Sequence, residues 1–253
     1  MSGSLSVVGL GPGPACLITP EADAVVQGAT DLVGYAPYVA RLPERPDQRR
    51  HASDNRVELD RAHAALDLAL SGRRVAVVSG GDPGVFAMAA AVFEAVEARL
   101  PHERDLPIQV VPGITAMVAA AARLGAPLGH DFCALSLSDN LKPWAAIERR
   151  LRAAAEGDFV MAFYNPVSRA RPDRLAQAFA LLLQLKGPAT VVAFARAVGR
   201  PEESLSVTTL AGATAEPADM STLVIVGSSE TRTIARDGRI PWVLTPRSYR
   251  GGA

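Results

Sequence analysis

The sequence contains little of several residue types, and each shortage excludes a class of protein. Its 253 residues include two cysteines, Cys16 and Cys133, which lie far apart and match neither a disulfide framework nor a metal-ligand spacing. Basic and acidic residues balance at 26 each, and a net charge of zero argues against a nucleic-acid binder that relies on bulk charge. We therefore expect no disulfide, no metal site and no nucleic-acid partner.

Long apolar runs are also missing. The longest nearly apolar stretch, VVPGITAMVAAAA (110–122), is interrupted by Pro112 and Gly113, so it is too short and too broken to span a bilayer. Residues 1–4 lack the basic segment that opens a signal peptide, and the apolar stretch that follows them is short. These features predict a soluble, cytoplasmic protein with no membrane partner.

Lysine is scarce, because only Lys142 and Lys186 are present and arginine carries nearly all the positive charge. The charge is also uneven: residues 1–116 hold 14 acids and 10 bases (net −4), and residues 117–253 hold 12 acids and 16 bases (net +4). A codon bias toward arginine explains this composition. A site for a polyanionic substrate explains it too, since arginine binds carboxylates through two hydrogen bonds.

The stretch VAVVSGGDPG (75–84) is the most informative part of the chain. Its valine-rich start is typical of a strand buried on both faces, and two glycines then free the backbone before Asp82 and Pro83. In α/β proteins ligands bind at the carboxyl ends of the strands, where Asp82 can accept hydrogen bonds from an ammonium or hydroxyl group. The alternative is a tight turn in which Asp82 caps the following helix.

Apolar strands alternate with helical patterns along most of the chain. Strands are predicted at 5–10, 31–35, 75–78, 108–111 and 132–137, and within 158–166, 189–194, 204–210 and 220–227. The polar segment from Ala36 to Asn55 is predicted to be a surface loop with His51 solvated, and the tail after Arg232 shows little periodicity. The strand count and the change of charge sign predict two α/β domains, 1–117 and 118–253, rather than one eight-fold barrel.

The glycines of GLGPG (9–13) invite a dinucleotide-binding interpretation. The corresponding fingerprint needs a glycine at position 14, where this chain has Pro14, and both Pro12 and Pro14 lack an N–H donor for a phosphate. The next helix is predicted to begin only after Thr19, a good N-cap. A Rossmann dehydrogenase is therefore not expected.

Five stretches together resemble the tetrapyrrole methylase family. They are VVGLGPGPACLIT, VSGGDPGVFAM, VVPGITA, FYNP and MSTLVIVG. Each is weak alone, but their order and spacing across residues 5–229 are specific. Within the family, SLSDNLKPW followed by DFVMAFYNPVSRAR (136–171) resembles the branch that methylates precorrin-3B at C-17 in cobalamin biosynthesis.

The resemblance implies two αβα domains with a cleft between them, a homodimer, and S-adenosylmethionine held at the cleft beside the tetrapyrrole. The implied cofactor residues are Gly80, Gly81, Asp82, Thr115 and Ala116 for the methionine part, and Tyr164, Ala195, Thr222 and Leu223 for the adenosine part. The implied substrate residues are Gly11, Pro12, Gly13 and Ser138, with Arg169, Arg171 and Arg196 as hypothetical ligands of the substrate carboxylates.

The reaction of that branch couples methylation to ring contraction, during which the C-20 hydroxyl of the substrate loses its proton. A general base or hydrogen-bonding partner near C-20 is then useful. The candidates are Asp139, at a predicted strand end, and His130, in the loop GHDF. Asp139 alternatively caps the helix that follows, and His130, which precedes its strand, alternatively has a structural role.

Three other functions fit the same resemblance. The first is the anaerobic counterpart that acts on cobalt-factor III, which no residue separates from the aerobic enzyme. The second is a methylase of this fold that acts on RNA or on a protein side chain, and the third is a non-catalytic tetrapyrrole carrier. The zero net charge and the branch motif disfavour the second, and the intact glycine loop around Asp82 disfavours the third.

Overall fold

The computed structural model describes residues 3–54 and 57–249. Two compact units divide the chain between Ala116 and Met117, and each unit has its own sheet and its own hydrophobic core. Within the described ranges, no helix is long and apolar enough to cross a membrane.

The amino-terminal unit is built on a five-stranded sheet in the order β3-β2-β4-β1-β5. Its strands are β1 (Ser4–Gly9), β2 (Asp31–Tyr35), β3 (Arg49–Ser53), β4 (Arg74–Ser79) and β5 (Ile108–Val111), and its helices are α1 (Pro20–Gly28), α2 (Ala36–Val39), α3 (Glu58–Leu70) and α4 (Met88–Glu97). All neighbouring strands pair in parallel. The carboxyl ends of β1, β4 and β5 therefore lie at one edge of the sheet.

Local sequence explains most of these elements. The apolar residues of β1 and β4 are almost completely buried, as expected for the central strands of a parallel sheet. The hydroxyl of Thr19 accepts a hydrogen bond from the N–H of Ala22 (3.1 Å), and Pro20 occupies the first position of α1. After α3, Gly72 adopts a positive φ of 89°, which ends the helix.

The prediction of a surface loop from Ala36 to Asn55 is wrong, although Asn55 itself lies outside the described residues. The segment contains α2 and the edge strand β3, whose polar sequence RRHAS hides the strand from an apolar pattern. His51 is also not simply solvated, because its Nε2 lies 2.9 Å from Oδ1 of the fully buried Asp31. Burial on one face of an edge strand leaves little hydrophobic signal.

The burial of one strand and the start of one helix in this unit also differ from prediction. β5 is the other edge strand, so Gln109 and Val110 are exposed rather than buried. The alanine-rich stretch after Asp82 and Pro83 predicts a helix that starts at Gly84, but α4 begins four residues later, at Met88, because residues 83–87 form a turn in which Phe86 has a φ of 52°.

The carboxyl-terminal unit begins with α5 (Ala116–Leu124), which starts at the last residue of the preceding unit, and β6 (Gly125–Ala126). Its main sheet has the order β10-β9-β11-β8-β7. These strands are β7 (Phe132–Ser136), β8 (Val160–Tyr164), β9 (Val191–Arg196), β10 (Ser204–Thr209) and β11 (Thr222–Val226), and the helices are α6 (Trp144–Glu156) and α7 (Arg174–Leu182). β7 and β8 pair in parallel, whereas β11 is antiparallel to both β8 and β9. The carboxyl ends of β7, β8 and β9 and the amino end of β11 therefore share one edge.

The structure corrects two predictions in this unit. The stretch SRARPDRLAQAFALLLQL predicts a long helix from Ser168, but α7 begins at Arg174. Pro172 contributes to the later start, because the residue before a proline is disfavoured in the helical region. The tail after Arg232 is not structureless: β12 (Arg232–Ile234) and β13 (Trp242–Leu244) form a small sheet with β6. The mixed α/β class predicted from the sequence is confirmed.

Candidate active site

The loop after β4, at the carboxyl edge of the amino-terminal sheet, contains two glycines, so its backbone is not covered by side chains there. Gly81 has a φ of 69°, and it exchanges two backbone hydrogen bonds with Gly11, at 2.9 and 3.1 Å. A Cβ at Gly80 would lie 2.7 Å from the ring of Tyr38, so a larger residue there would have to displace that ring. Glycine is thus favoured at residue 80 by packing and at residue 81 by backbone conformation.

The carboxylate of Asp82 joins the loops that follow β4 and β5. Its Oδ1 accepts a hydrogen bond from the N–H of Gly84 (2.8 Å), and its Oδ2 accepts one from the N–H of Gly113 (3.0 Å). α4 starts six residues later, at Met88, with Ala87 as its N-cap. Asp82 therefore does not cap the following helix, and its half-buried charge lies among strand-end loops.

Thr115 and Ala116 follow β5 and lie beside the same glycine loop. A Cβ at Gly81 would have the Cα of Thr115 at 3.8 Å and the backbone nitrogen of Ala116 at 3.9 Å as its nearest neighbours. The structure thus brings together all five residues predicted for the methionine part of the cofactor, which are Gly80, Gly81, Asp82, Thr115 and Ala116.

The loop Gly11–Pro12–Gly13 follows β1 at this edge, and Arg41 holds it. The guanidinium group of Arg41 donates to the carbonyl oxygens of Leu10 (2.7 Å), Gly11 (3.1 Å) and Gly13 (2.7 Å). Sequence reasoning missed Arg41 because it follows α2 in the segment predicted to be a surface loop. No motif or spacing identifies an arginine whose partners are main-chain carbonyls 28–31 residues away.

In the carboxyl-terminal unit, the four residues predicted for the adenosine part lie on three adjacent strands. Ala195 of β9 is opposite Leu223 of β11, and Tyr164 ends β8, the other neighbour of β11. The hydroxyl oxygen of Tyr164 accepts a hydrogen bond from the N–H of Met117 (3.1 Å). The fourth residue, Thr222, begins β11 and is buried. Tyr164, Ala195, Thr222 and Leu223 therefore gather at one edge of this sheet.

Arg196, a predicted substrate ligand, already has an acidic neighbour. Its Nε donates to Oδ2 of Asp219 at 2.8 Å, and the hydroxyl of Thr222 donates to Oδ1 of the same carboxylate at 3.0 Å. Partial burial opposes ionisation of Asp219, but the hydrogen bonds from Arg196, the N–H of Ser221 and Thr222 outweigh it, so its pKa lies below the ordinary value. This network fixes the turn before β11.

Asp139, a predicted catalytic residue, lies between two arginines after β7. Its Oδ2 accepts a hydrogen bond from Arg174 (2.5 Å), and its Oδ1 lies 3.8 Å from Nε of Arg171. Burial raises the pKa of the Asp139 carboxyl, but the hydrogen bond from Arg174 and the positive charges of Arg174 and Arg171 lower it by more. The pKa therefore lies below its ordinary value. Asp139 is therefore an anion at neutral pH, hydrogen-bonded to a side chain rather than to the first turn of α6.

Three more residues of the branch motif lie near the ends of β7 and β8. The side chain of Arg171 is only 9% exposed, and its Nη1 lies 3.5 Å from each of two carbonyl oxygens. Ser138 donates its N–H to the hydroxyl of Ser136 (3.3 Å). Arg169 is exposed in the turn that Ser168 and Arg171 close with two backbone hydrogen bonds.

Lys142 and Asn165 are polar residues at this edge that sequence reasoning did not select. Burial, with the charges of Arg150 and Arg171, lowers the pKa of Lys142. Asn165 has a φ of 52° and donates its amide to the hydroxyl of Ser136 (3.0 Å). Both lie inside the stretch that carries the family resemblance, which was the signal available for them.

His130 lies apart from the other predicted residues of this unit. It precedes β7, so it sits at the amino end of that strand, at the opposite edge of the sheet from Asp139 and Tyr164. Its Nδ1 accepts a hydrogen bond from the N–H of Asp131 (2.8 Å), and its ring packs edge-to-face on Tyr249 at 4.9 Å. Among residues 3–54 and 57–249, no three His, Cys, Asp or Glu side chains come together as a metal site would require.

The chain belongs to the family of tetrapyrrole (corrin/porphyrin) methylases, whose model matches residues 4–214. Its relatives include the precorrin-3B C(17)-methyltransferase of Sinorhizobium sp., which is 56% identical over 253 residues and aligned over the full length of both chains. A probable cobalt-factor III C(17)-methyltransferase of Salmonella typhimurium is 43% identical over 97% of this chain and 99% of the relative.

Solved structures agree with this assignment. The methyltransferase CobJ is 56% identical and superposes with a TM-score of 0.92, covering 97% of this chain and 100% of its own. A uroporphyrin-III C-methyltransferase of Thermus thermophilus, solved with S-adenosylhomocysteine, is 20% identical, with a TM-score of 0.67 and coverage of 89% and 92%. The second likeness shows a shared fold.

Proposed function

We propose that this protein is an S-adenosylmethionine-dependent methyltransferase of cobalamin biosynthesis that methylates precorrin-3B at C-17 and contracts its ring to give precorrin-4. The observation that carries the proposal is the 56% identity over the full length of a precorrin-3B C(17)-methyltransferase. The branch motif SLSDNLKPW, with DFVMAFYNPVSRAR, supports the same substrate.

The strand-end loops of the amino-terminal unit fit the methionine part of S-adenosylmethionine. When bound, this group supplies an electrophilic methyl on a positively charged sulfur. The carboxylate of Asp82 offers a negative charge and lone pairs to the ammonium group, while the bare backbone of Gly80 and Gly81 permits close approach. We propose that Thr115 and Ala116 line the same part of the site.

The edge of the carboxyl-terminal sheet provides groups for the adenosine part. Ala195, Thr222 and Leu223 are buried at adjoining positions of β9 and β11. Tyr164 is held in place through its hydroxyl group. We propose that these four residues contact adenosine.

The substrate carries several carboxylates, and we propose that Arg169, Arg171 and Arg196 bind them, with Ser138 and the loop Gly11–Pro12–Gly13 also facing the macrocycle. Arg169 is exposed and able to reach a ligand. Arg171 and Arg196 are already neighbours of Asp139 and Asp219, so their guanidinium groups are oriented in advance. A guanidinium group that is already oriented loses less conformational entropy on binding a carboxylate than one on a mobile side chain does.

The chemistry required of the protein is mainly alignment. C-17 of the substrate forms a bond to the methyl group while the methyl–sulfur bond breaks and its electron pair stays on sulfur. Residues that hold both molecules in line and exclude water supply most of the rate enhancement of such a displacement.

Ring contraction adds a proton transfer from the C-20 hydroxyl. We propose that Asp139 accepts a hydrogen bond from this hydroxyl, with His130 as the second candidate. The lowered pKa of Asp139 keeps it ionised but makes it a weak base, so its contribution would be orientation more than proton abstraction. Asp139→Asn should then reduce ring contraction, whereas His130→Gln should leave it unchanged.

The purified protein, incubated with S-adenosylmethionine and metal-free precorrin-3B without air, tests the proposal. A product with one additional methyl group and a changed absorption spectrum is expected, and the Asp82→Asn variant serves as the control with an impaired cofactor site. The 43% identity to a probable cobalt-factor III methyltransferase favours a second candidate function, in which the substrate contains cobalt. Turnover of only the cobalt-loaded substrate would replace the first proposal with this one, and no turnover of either would refute both.

We further propose that the protein is a cytoplasmic homodimer, because the family resemblance implies a dimer and a similar protein is a biosynthetic methyltransferase. Light scattering coupled to gel filtration should give twice the chain mass of 26.5 kDa. A mass of one chain at micromolar concentration would contradict the dimer. Cell fractionation tests the location.

A further inference from the structure

The geometry points to Arg41 as the positioning residue of the substrate loop, which we define as residues 10–13. One guanidinium group reaches three of the four carbonyl oxygens in this segment: Nη2 donates to Leu10 and Gly13, each at 2.7 Å, and Nη1 donates to Gly11 at 3.1 Å. A charged donor makes these stronger hydrogen bonds than a neutral one would.

The substrate loop needs an external support because its own sequence provides few hydrogen-bond donors. Pro12 lies inside it and Pro14 follows it, and neither has an N–H. Gly11 has a φ of 64°, and its backbone hydrogen bonds go to Gly81 of another loop rather than to its own segment. The carbonyl group of Gly11 is therefore held by both Gly81 and Arg41, while those of Leu10 and Gly13 are oriented by Arg41.

The substrate loop is also connected to the loop after β4. Gly11 and Gly81 exchange both of their backbone hydrogen bonds, so the loop after β4 anchors the substrate loop at Gly11, and Arg41 holds the residues on either side of that anchor. Tyr38, three residues before Arg41 and in α2, packs its ring against Gly80. The short segment around α2 thus contacts both the substrate loop and the loop after β4. Arg41 itself is not proposed to touch a ligand.

The inference rests on the proposed function for its catalytic consequence, because the loop is proposed to face the tetrapyrrole. Without Arg41 the loop should sample other conformations, and the substrate must then select the competent one. We expect Arg41→Ala to raise KM for precorrin-3B at least tenfold, with less than a threefold change in the dissociation constant of S-adenosylmethionine. The KM of Arg41→Lys should lie between those of the wild type and Arg41→Ala, because a lysine ammonium group can hydrogen-bond to fewer of the three carbonyl oxygens.

Hydrogen–deuterium exchange of the full chain measures the positioning without any substrate. The amides of residues 10–17 should exchange at least tenfold faster in Arg41→Ala than in the wild type, while those of β4 stay protected. Arg45→Ala is the matched control, because Arg45 is a nearby arginine of the same segment whose side chain bonds Asp47. The control should leave both exchange and KM unchanged.

Two results would overturn the inference. Unchanged exchange in residues 10–17 would show that Arg41 does not hold the loop, whatever the activity. Faster exchange would make Arg41 a general stabilising residue if KM for precorrin-3B and the dissociation constant of S-adenosylmethionine rose equally, or if neither changed. If Arg41→Ala does not fold, the exchange of residues 10–17 and the KM are measured on Arg41→Lys instead. If exchange responds as expected but the wild type turns over no tetrapyrrole, the positioning stands and the proposed function fails.

Discussion

Replacing Asp82 with asparagine and with alanine separates two roles of this carboxylate. In the structure it ties two strand-end loops together, through one backbone N–H on each oxygen, from Gly84 at 2.8 Å and from Gly113 at 3.0 Å. In the proposed function its charge also meets the ammonium group of S-adenosylmethionine. The two roles predict different rankings of the variants, because asparagine keeps one acceptor but no charge.

The magnitudes follow from counting these bonds. A hydrogen bond to a charged group contributes about 1.5–3 kcal/mol, so the loss of one bond in Asp82→Asn should lower the free energy of unfolding by about 2 kcal/mol. The loss of both bonds in Asp82→Ala should lower it by about 4 kcal/mol. Both variants lose the charge, so cofactor affinity should fall by a similar factor in both, on the order of 10- to 100-fold.

The assay must report on the amino-terminal unit. Both tryptophans, Trp144 and Trp242, belong to the other unit, so tryptophan fluorescence is unsuitable. Exchange of the β4 amides at increasing urea concentration gives the stability, and calorimetric titration with S-adenosylhomocysteine gives the affinity. An asparagine variant that binds as tightly as the wild type would refute the ligand role. Equal stability of all three proteins would refute the structural role.

Three further predictions concern the cores and the arginines. Asp158→Asn should destabilise the carboxyl-terminal unit by about 3 kcal/mol at pH 6, because it leaves a buried lysine ammonium, 2.9 Å away, without a counter-charge. Although burial opposes ionisation, hydrogen bonds lower the pKa of Asp158, so this difference should shrink in urea titrations as the pH falls below about 4; a constant difference would contradict the ion pair. Arg169→Ala and Arg196→Ala should each raise KM for the tetrapyrrole about tenfold in steady-state assays, and unchanged values would leave codon bias as the better account of the arginines. Gly80→Ala should cost about 1–3 kcal/mol through its clash with the ring of Tyr38, and a second substitution of that tyrosine by leucine should recover part of the loss; no recovery would show that the clash is not the cause.

The interior of both sheets could be predicted from the sequence because central strands have a strong local signal. Valine-rich runs such as 75–78 are stable only when buried on both faces, and glycine at 80 and 81 marks the strand end. The same reasoning failed at the edge strand β3, whose polar sequence lacks the apolar pattern by which strands are recognised. The edge strand β5 was predicted correctly as a strand, but it is half exposed rather than buried.

The residues proposed for the cofactor could be placed near strand ends because strand ends are defined by the same local patterns, while their role was implied by the family resemblance. Asp139 shows the limit of this reasoning. Its position at a strand end was predicted, but its partner was not, since Arg174 lies 35 residues away at the start of α7. A carboxylate bonded to an arginine is a weaker base than a solvated one, so the partner changes the chemistry proposed for it.

The sequence by itself determined the α/β class, the buried strands and the glycine loops, because each depends on the local pattern of side-chain size and polarity. Only the tertiary structure decided which polar groups meet: Arg41 with three carbonyl groups, His51 with the buried Asp31, and Asp139 with Arg174. Hydrogen bonds of this kind join residues 20–35 positions apart, and their partners are selected by the packing of loops rather than by any periodicity of the chain.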